Sequence, residues 1–374
     1  MTQRLPATLT SLDAALRVLL DGVKPVHPIE VTLDSSVGRI SAAMPPLQVA
    51  HPAFNVAVAD GWALRARDVV GASSYSPLLL TSCPVWVEAG DRLPEGCDCV
   101  LDADLVEEIG SSLQILAEAV PGHGIRRAGD DIATGQSVIA PGRIINAFDV
   151  LAARAVGLDR IQIRSPRVCV IDAPSTDGNS ACSEFILEFA KILGAQAVGL
   201  QSRGRDAACI SEAIGSEIYD LLVTVGGTGI GRTDATIEAL TSNGAAITHG
   251  LALQPGRTSA VGQIRKTPVI AVPAAPDQAL AACLVLIQPA LDRLSDRSVR
   301  RKVILPLARK ISSAIGLTEI VLLEASSETW IPLAAGWLSL EAITRADAWF
   351  AVPEDSEGYA AGTVVGAFSL RDMI

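Results

Sequence analysis

Leu221-Leu222-Val223-Thr224-Val225-Gly226-Gly227-Thr228-Gly229-Ile230-Gly231-Arg232-Thr233-Asp234 is the stretch that decides the fold. Its first five residues are apolar or β-branched, the pattern of a buried strand. The glycines then break the strand, and a helix is predicted from Asp234 to Leu240. Working outward, Val168–Ile171, Ala197–Leu200 and Pro268–Val272 read as further strands. Ser183–Leu193, Asp206–Ile214 and Gln278–Leu294 read as helices, the first stopped by Gly194. Strands alternating with helices predict a parallel, three-layer α/β domain. Ligands in such domains bind beyond the carboxyl ends of the strands, where this glycine loop lies. Small residues there let backbone N–H groups approach an anion, and the following helix adds its positive end. The loop is not a P-loop, because no Lys-Ser/Thr follows, and its spacing is not the dinucleotide fingerprint. A purely structural turn fits it as well, with Asp234 beside Thr233 capping the helix.

The flanking regions have another texture. Ser11–Leu20 reads as a helix capped by Ser11, with Leu12, Leu16, Leu19 and Leu20 on one face. Val31–Gly142 is rich in Gly and Pro turns between short strands, a β-rich region. Within it, Asp60-Gly61 sits between two apolar runs, where a β-hairpin is the plain reading. Arg126-Arg127-Ala128-Gly129-Asp130-Asp131 pairs two phosphate-type donors with two carboxylates able to hold a cation or orient water. A solvated turn held by local ion pairs would look the same. Phe148–Val156 reads as a short helix, Ser295–Lys302 as a basic linker, and Val303–Ile374 as a small β domain. Gln254-Pro255-Gly256-Arg257-Thr258-Ser259 is a turn with one cation and two hydroxyls, suited to an oxyanion or to nothing but a loop.

The chain's 374 residues suffice for several cores. Its formal charge is -11, from 30 basic and 41 acidic residues. That argues against a general nucleic-acid binder. Mean hydropathy is high at +0.37, but the most apolar stretch, Val269–Leu291, is broken by Pro273, Pro276, Asp277 and Gln278. No membrane span is expected. Residues 1–22 lack the basic-then-apolar layout of a signal peptide, so a cytoplasmic protein is expected. Seven cysteines without a CxxC pair, and 4 histidines, do not make a structural zinc site.

In order along the chain, five segments resemble the MoeA/gephyrin family of molybdopterin molybdenumtransferases. They are Pro52–Ala63 with its Asp60-Gly61-Trp62-Ala63, Glu88–Val100, Arg126–Ile132, Asp220–Asp234 and Leu251–Arg257. Ala346–Pro353 and Ala361–Val365 are similar to the family's closing β domain. The resemblance implies a multidomain α/β plus β architecture of four parts. These are a linker domain (1–45 and 122–165), a β-rich domain (46–121), a molybdopterin-binding α/β domain (166–297) and a C-terminal β-barrel-like domain (298–374). It implies a homodimer whose site lies between the α/β domain of one subunit and the β-rich domain of the other. It also implies magnesium-dependent hydrolysis of adenylylated molybdopterin, with molybdate inserted into the dithiolene and AMP released. On this likeness Asp60, Asp131 and Asp234 are the catalytic or metal-organising carboxylates. Gly226, Gly227, Thr228 and Gly229 cradle the phosphate side, and Arg257 and Ser259 face the oxyanion. A molybdopterin adenylyltransferase and molybdoenzyme clients are the implied partners.

The chain also departs from that pattern. The family's Thr-Gly-Asp-Glu segment is replaced by Asp172-Ala173-Pro174-Ser175-Thr176-Asp177, so the metal-ligating glutamate is missing and Asp172 or Asp177 is left to substitute. Gln254 and Gly250 stand where the family carries lysines, and Pro273-Ala274-Ala275-Pro276 replaces Pro-Gly-Asn-Pro. Removing a charge-assisted hydrogen bond from a dianion site costs roughly 1.5–3 kcal/mol, and the absence of a metal ligand weakens charge neutralisation on a diphosphate. Two functions therefore compete: a divergent molybdenumtransferase, and a paralogue that binds, carries or senses molybdenum cofactor without catalysing insertion. A sugar- or nucleotide-phosphate enzyme on the same scaffold is a third.

Overall fold

The computed structural model describes residues 3, 5–80, 83–110, 112–174, 180–215 and 217–371. It divides into two compact units, one of Met1–Ala43, Ala140–Leu151 and Asp159–Ile374, the other of Met44–Ile139 and Ala152–Leu158.

The centre of the first unit is a six-stranded sheet of β1 (Arg167–Asp172), β2 (Gln196–Gln201), β3 (Leu221–Val225), β4 (Ala246–His249), β5 (Ala260–Ile264) and β6 (Thr267–Val272). Their order is β2-β1-β3-β6-β5-β4. The first four in that order are parallel, as expected, and β5 and β4 add antiparallel strands at one edge. Alternation along the strands builds the three layers. Val168, Val170, Leu221, Val223, Ile270 and Val272 pack with Ala15 and Leu19 of the N-terminal helix Leu12–Leu20 and with the helices after β1 and β6. Cys169, Ile171, Leu222 and Ala271 face Ile210, Ala239 and Leu240 on the other side. Each fully buried aliphatic side chain contributes about 1.5–3 kcal/mol relative to exposure.

Two helices differ from the sequence reading. The helix after β6 starts at Pro276, whose missing N–H is harmless in a first turn. It then widens into a π-helical turn over Cys283–Ile287 before continuing as Gln288–Ser295. Pro289 is the cause we assign, since it cannot donate to the preceding turn. The helix after the glycine loop runs Thr236–Ser242 and its N-cap is Ala235, so Asp234 does not cap it.

A three-stranded sheet of Ile29–Thr32, Arg160–Arg164 and Ile40–Ser41 joins distant parts of the chain. The C-terminal region is a sheet: Leu253–Gln254, Thr318–Ala325, Ala348–Val352, Val364–Ser369 and Val303–Pro306 follow one another, and Trp330–Ala335 pairs with Thr318–Ala325. The ladders alone do not close it, but Leu307, next after Val303–Pro306, bridges Trp330, and the Ala308 N–H donates to the Trp330 carbonyl at 2.8 Å, so the two edges meet in a barrel-like arrangement without a continuous closing ladder. Leu253–Gln254 pairs in parallel with Thr318–Glu319, which fastens the 254–259 turn to this sheet.

The second unit is β-rich, as its turn residues predict. Gly61–Leu64 lies between Val85–Val87 and Cys99–Asp102. Val56–Ala57 pairs instead with Ile125–Arg126. Asp60-Gly61 is therefore a crossing between two sheets, not the turn of a hairpin. Gly61 is required by packing, because a Cβ there would overlap the Leu101 carbonyl. Among the described residues, no helix is long and apolar enough to cross a membrane.

Candidate functional site

The glycine turn leaves the carboxyl end of β3. The Gly226 N–H donates to the Val272 carbonyl at 2.8 Å, which fixes the exit beside β6. Gly226 and Gly227 then adopt φ of +88° and +65°, the left-handed region that favours glycine. A Cβ on Gly227 would lie 2.5 Å from Thr236 Oγ1. That hydroxyl is needed where it is, donating to the Gly226 carbonyl at 2.7 Å, while the Thr236 N–H donates to Gly227 at 3.1 Å. Thr228 is buried, its hydroxyl 3.4 Å from that of Thr258. His249 Nε2 lies 2.9 Å from the Thr228 carbonyl. Burial pushes the His249 pKa down, against the opposing pull of its hydrogen bonds to Thr228 and Thr258.

Gln3, which the sequence reading did not single out, clamps this turn. Its Nε2 donates to the Gly227 carbonyl at 3.0 Å and to Gly229 at 2.8 Å, and its Oε1 accepts from the Ile237 N–H at 2.8 Å. In a trans peptide the carbonyl and the next N–H point in opposite directions. Turning the Gly227 and Gly229 carbonyls toward Gln3 therefore aims the Thr228 and Ile230 N–H groups away from it. Neither N–H meets an acceptor among the described residues. The helix behind them has only seven residues, so the macrodipole expected from the sequence is small, and these two N–H groups are donors the turn leaves open.

Asp234 closes the turn on itself. Its Oδ2 accepts from the Gly231 N–H at 2.9 Å, and its Oδ1 faces Arg205 Nη2 at 3.3 Å. Arg205 also donates through Nη1 to the Pro174 carbonyl at 2.9 Å, tying the loop after β1 to the glycine turn. Asp172, at the end of β1, is 8% exposed and accepts from the Ser180 hydroxyl at 2.9 Å. Asp177 lies outside the described residues. Among the described residues no three His, Cys, Asp or Glu side chains converge to hold a metal ion. A resident magnesium does not fit this donor set: one Asp234 oxygen is spent on an N–H, and the other already has a cation beside it. Arg205 was legible in principle, since it follows the carboxyl end of β2, where ligand groups gather in such sheets.

In the 254–259 turn, Arg257 is exposed and its carbonyl accepts from the Leu251 N–H at 3.0 Å. Ser259 is fully buried and its hydroxyl has no partner among the described residues. Thr258, not Ser259, is the hydroxyl that reaches the glycine turn. Gln254, in place of a lysine, donates to the Gly336 carbonyl at 3.1 Å.

The remaining candidates belong to the second unit. Asp60 is exposed, and its Oδ1 accepts from the Ala89 N–H at 2.8 Å. Asp131 lies 3.3 Å from Arg126 Nη1 and 3.9 Å from His51 Nε2, a half-exposed group. Arg127 donates through its N–H to Asp130 at 2.8 Å, and its guanidinium lies against Gly122. Pairing of Val56–Ala57 with Ile125–Arg126 brings the segments carrying Asp60 and Asp131 into one substructure.

Together these features define a multidomain α/β protein with a phosphate-type glycine turn at the carboxyl end of a parallel sheet. Comparison with known proteins carries this further. Residues 10–157 match a model described as the MoeA N-terminal region (domain I and II), and residues 175–293 one described as a probable molybdopterin binding domain. A putative molybdopterin biosynthesis protein of Methanocaldococcus jannaschii is 25% identical, the match covering 94% of each chain. Molybdopterin molybdenumtransferase 2 of Mycobacterium tuberculosis is 27% identical over 76% of this chain and 79% of that one. The crystal structure of a molybdopterin biosynthesis MoeA protein from Pyrococcus horikoshii superposes with a TM-score of 0.76 at 24% identity, covering 97% of this chain and 99% of that one. The chain belongs to the MoeA family.

Proposed function

We propose that this protein inserts molybdate into adenylylated molybdopterin, with release of AMP, as a molybdenumtransferase of molybdenum cofactor biosynthesis. The observation that carries this reading is the glycine turn, whose Thr228 and Ile230 N–H groups are aimed by Gln3 and left without a protein acceptor among the described residues. Fixed donors of this kind hold a phosphate without needing a net positive surface. Gly226, Gly227, Thr228 and Gly229 form the cradle, Arg257 is the exposed cation that attracts the molybdate dianion, and Asp234 sets the shape of the turn. Asp60 and Asp131, with Arg126 and Arg127, are assigned to the same chemistry on the family resemblance, in a homodimer. Magnesium would have to arrive with the diphosphate of the substrate, a common way for this ion to bind, because Asp234 offers it no free cage. The four-part domain division, a cytoplasmic location, supply by a molybdopterin adenylyltransferase and delivery to molybdoenzyme clients complete the proposal.

The occupation of Asp234 by Arg205 favours a second reading, a cofactor carrier without turnover. Purified protein incubated with adenylylated molybdopterin, magnesium and molybdate distinguishes the two. Molybdate-dependent AMP release that disappears in Asp234→Ala establishes the transferase. Stoichiometric binding without AMP release establishes the carrier, and neither binding nor release sinks both.

A further inference from the structure

Asp234 is the carboxylate that the resemblance would give to a metal ion, yet in this chain a fixed cation stands against it. Arg205 Nη2 lies 3.3 Å from Asp234 Oδ1, and the two side chains are 28% and 15% exposed. The guanidinium is not free to swing aside, because Nη1 is bonded to the Pro174 carbonyl at 2.9 Å. The second Asp234 oxygen is held by the Gly231 N–H at 2.9 Å. A magnesium ion bonds carboxylate oxygen at about 2.0–2.1 Å and demands near-octahedral space. At Asp234 it would have to enter beside a like charge and displace a hydrogen bond. Asp172, the described alternative ligand, is buried and takes its hydrogen bond from Ser180. Arg205 Nε, meanwhile, is buried without an acceptor among the described residues, so a donor of its fork is unspent beside the turn.

We propose that Arg205 takes the place of a divalent ion at this site. It neutralises Asp234, so that a phosphate approaching the Thr228 and Ile230 N–H groups meets no uncompensated carboxylate. The protein on its own binds no metal at Asp234. The ligand half of the proposal rests on the glycine turn being the phosphate site; the metal half rests on the ion pair alone.

The full-length protein is titrated with Mn²⁺ without substrate, and free ion is followed by electron paramagnetic resonance. The wild type is expected to show no site that depends on Asp234. Arg205→Glu, which sets a second carboxylate beside Asp234, is expected to gain one Mn²⁺ per chain, at least tenfold tighter than any wild-type binding. That site should vanish in Arg205→Glu combined with Asp234→Asn. A wild-type Mn²⁺ site abolished by Asp234→Asn overturns the proposal. So does an Arg205→Glu variant, folded by circular dichroism, that gains no site. The second arm measures AMP affinity with and without magnesium. Wild-type affinity should stay within twofold on adding the ion. Arg205→Ala should bind about tenfold more weakly without magnesium and recover with it. Weakening that magnesium does not repair would mark Arg205 as merely structural and refute the replacement. If no form binds AMP, the reading of the turn as a phosphate site fails, and the Mn²⁺ result still decides the metal question by itself.

Discussion

Gly227→Ala tests whether the glycine turn is a close-packed device or a loose loop. Gly227 has φ of +65°, where a residue with a Cβ loses roughly 1–2 kcal/mol. The added Cβ would also lie 2.5 Å from Thr236 Oγ1, a buried hydroxyl bonded to the Gly226 carbonyl. Thr236 is fully buried, so relief requires breaking that bond or moving the helix start. A broken hydrogen bond with its donor left unsatisfied costs about 1–3 kcal/mol. Together these give a destabilisation of about 3 kcal/mol, measured by urea unfolding followed by far-ultraviolet circular dichroism. The clash and the dihedral strain are separable. In a Thr236→Ala background the offending hydroxyl is gone, and Gly227→Ala should cost only the strain, about 1–2 kcal/mol. The two substitutions should therefore couple by about 1–2 kcal/mol, outside the additivity seen for independent sites. Additive effects, or a Gly227→Ala cost below about 0.5 kcal/mol, the size of an ordinary surface substitution, would show that the turn is not close-packed against Thr236.

Gln3→Ala removes the clamp on the Gly227 and Gly229 carbonyls. Amide hydrogen exchange at 227–230 should accelerate while exchange in β1 and β3 is unchanged, and AMP affinity should fall about tenfold, as for one well-placed hydrogen bond. Unchanged exchange at the turn would exclude the clamp. Gly61→Ala forces a Cβ into the Leu101 carbonyl of the neighbouring strand, and a cost above about 3 kcal/mol is expected. Because Trp62 and Trp86 pack edge to face at 5.4 Å on that sheet, their exciton couplet in circular dichroism should be lost with it. His249 has a folded pKa below its ordinary 6.5, with burial as the main cause. The unfolded chain therefore binds the proton more readily, and the stability this group contributes is present above pH 6.5 and lost as pH falls below it. His249→Gln should flatten the stability profile as pH falls below 6.5. A wild-type profile that is already flat there would show that the ring is not held neutral.

The α/β core was legible because its signals are local. Leu221–Val225 announces a buried strand and Gly226–Gly229 its end, and the structure needs nothing from elsewhere to obey them. Asp60-Gly61 misled for the opposite reason. A hairpin is defined by the partner of each strand, and the partner of Val56–Ala57 is Ile125–Arg126, some seventy residues away. Strands β4 and β5 went unread because short antiparallel segments split by Gly250 and the Gln254–Ser259 turn carry too little periodicity. In the site, residue type located Asp234 but not its state. Whether that carboxylate is a helix cap, a metal ligand or half of an ion pair depends on Arg205, which comes from another strand end. Gln3 had no signal at all: a glutamine near the N-terminus becomes part of a ligand turn only once Thr10 has paired with Leu251 and laid the arm along the domain.

A chain of net charge -11 that handles a diphosphate and a dianion sets an electrostatic problem that composition alone makes look insoluble. The geometry of the glycine turn answers it at short range. Beyond about 10 Å at 0.1 M salt the surplus of carboxylates is screened and contributes little. At short range the groups that matter are oriented N–H dipoles, the exposed arginines at positions 232 and 257, and a carboxylate already cancelled by Arg205. Burial lowers the pKa of His249, beside Thr228, and so favours its neutral form there. Loss of the family's lysines removes charge-assisted contacts to the dianion while leaving the backbone donors of the glycine turn in place. A site built this way discriminates by the position of acceptor oxygens more than by total ligand charge, because dipoles fixed in the backbone cannot follow a misplaced anion as a flexible lysine does.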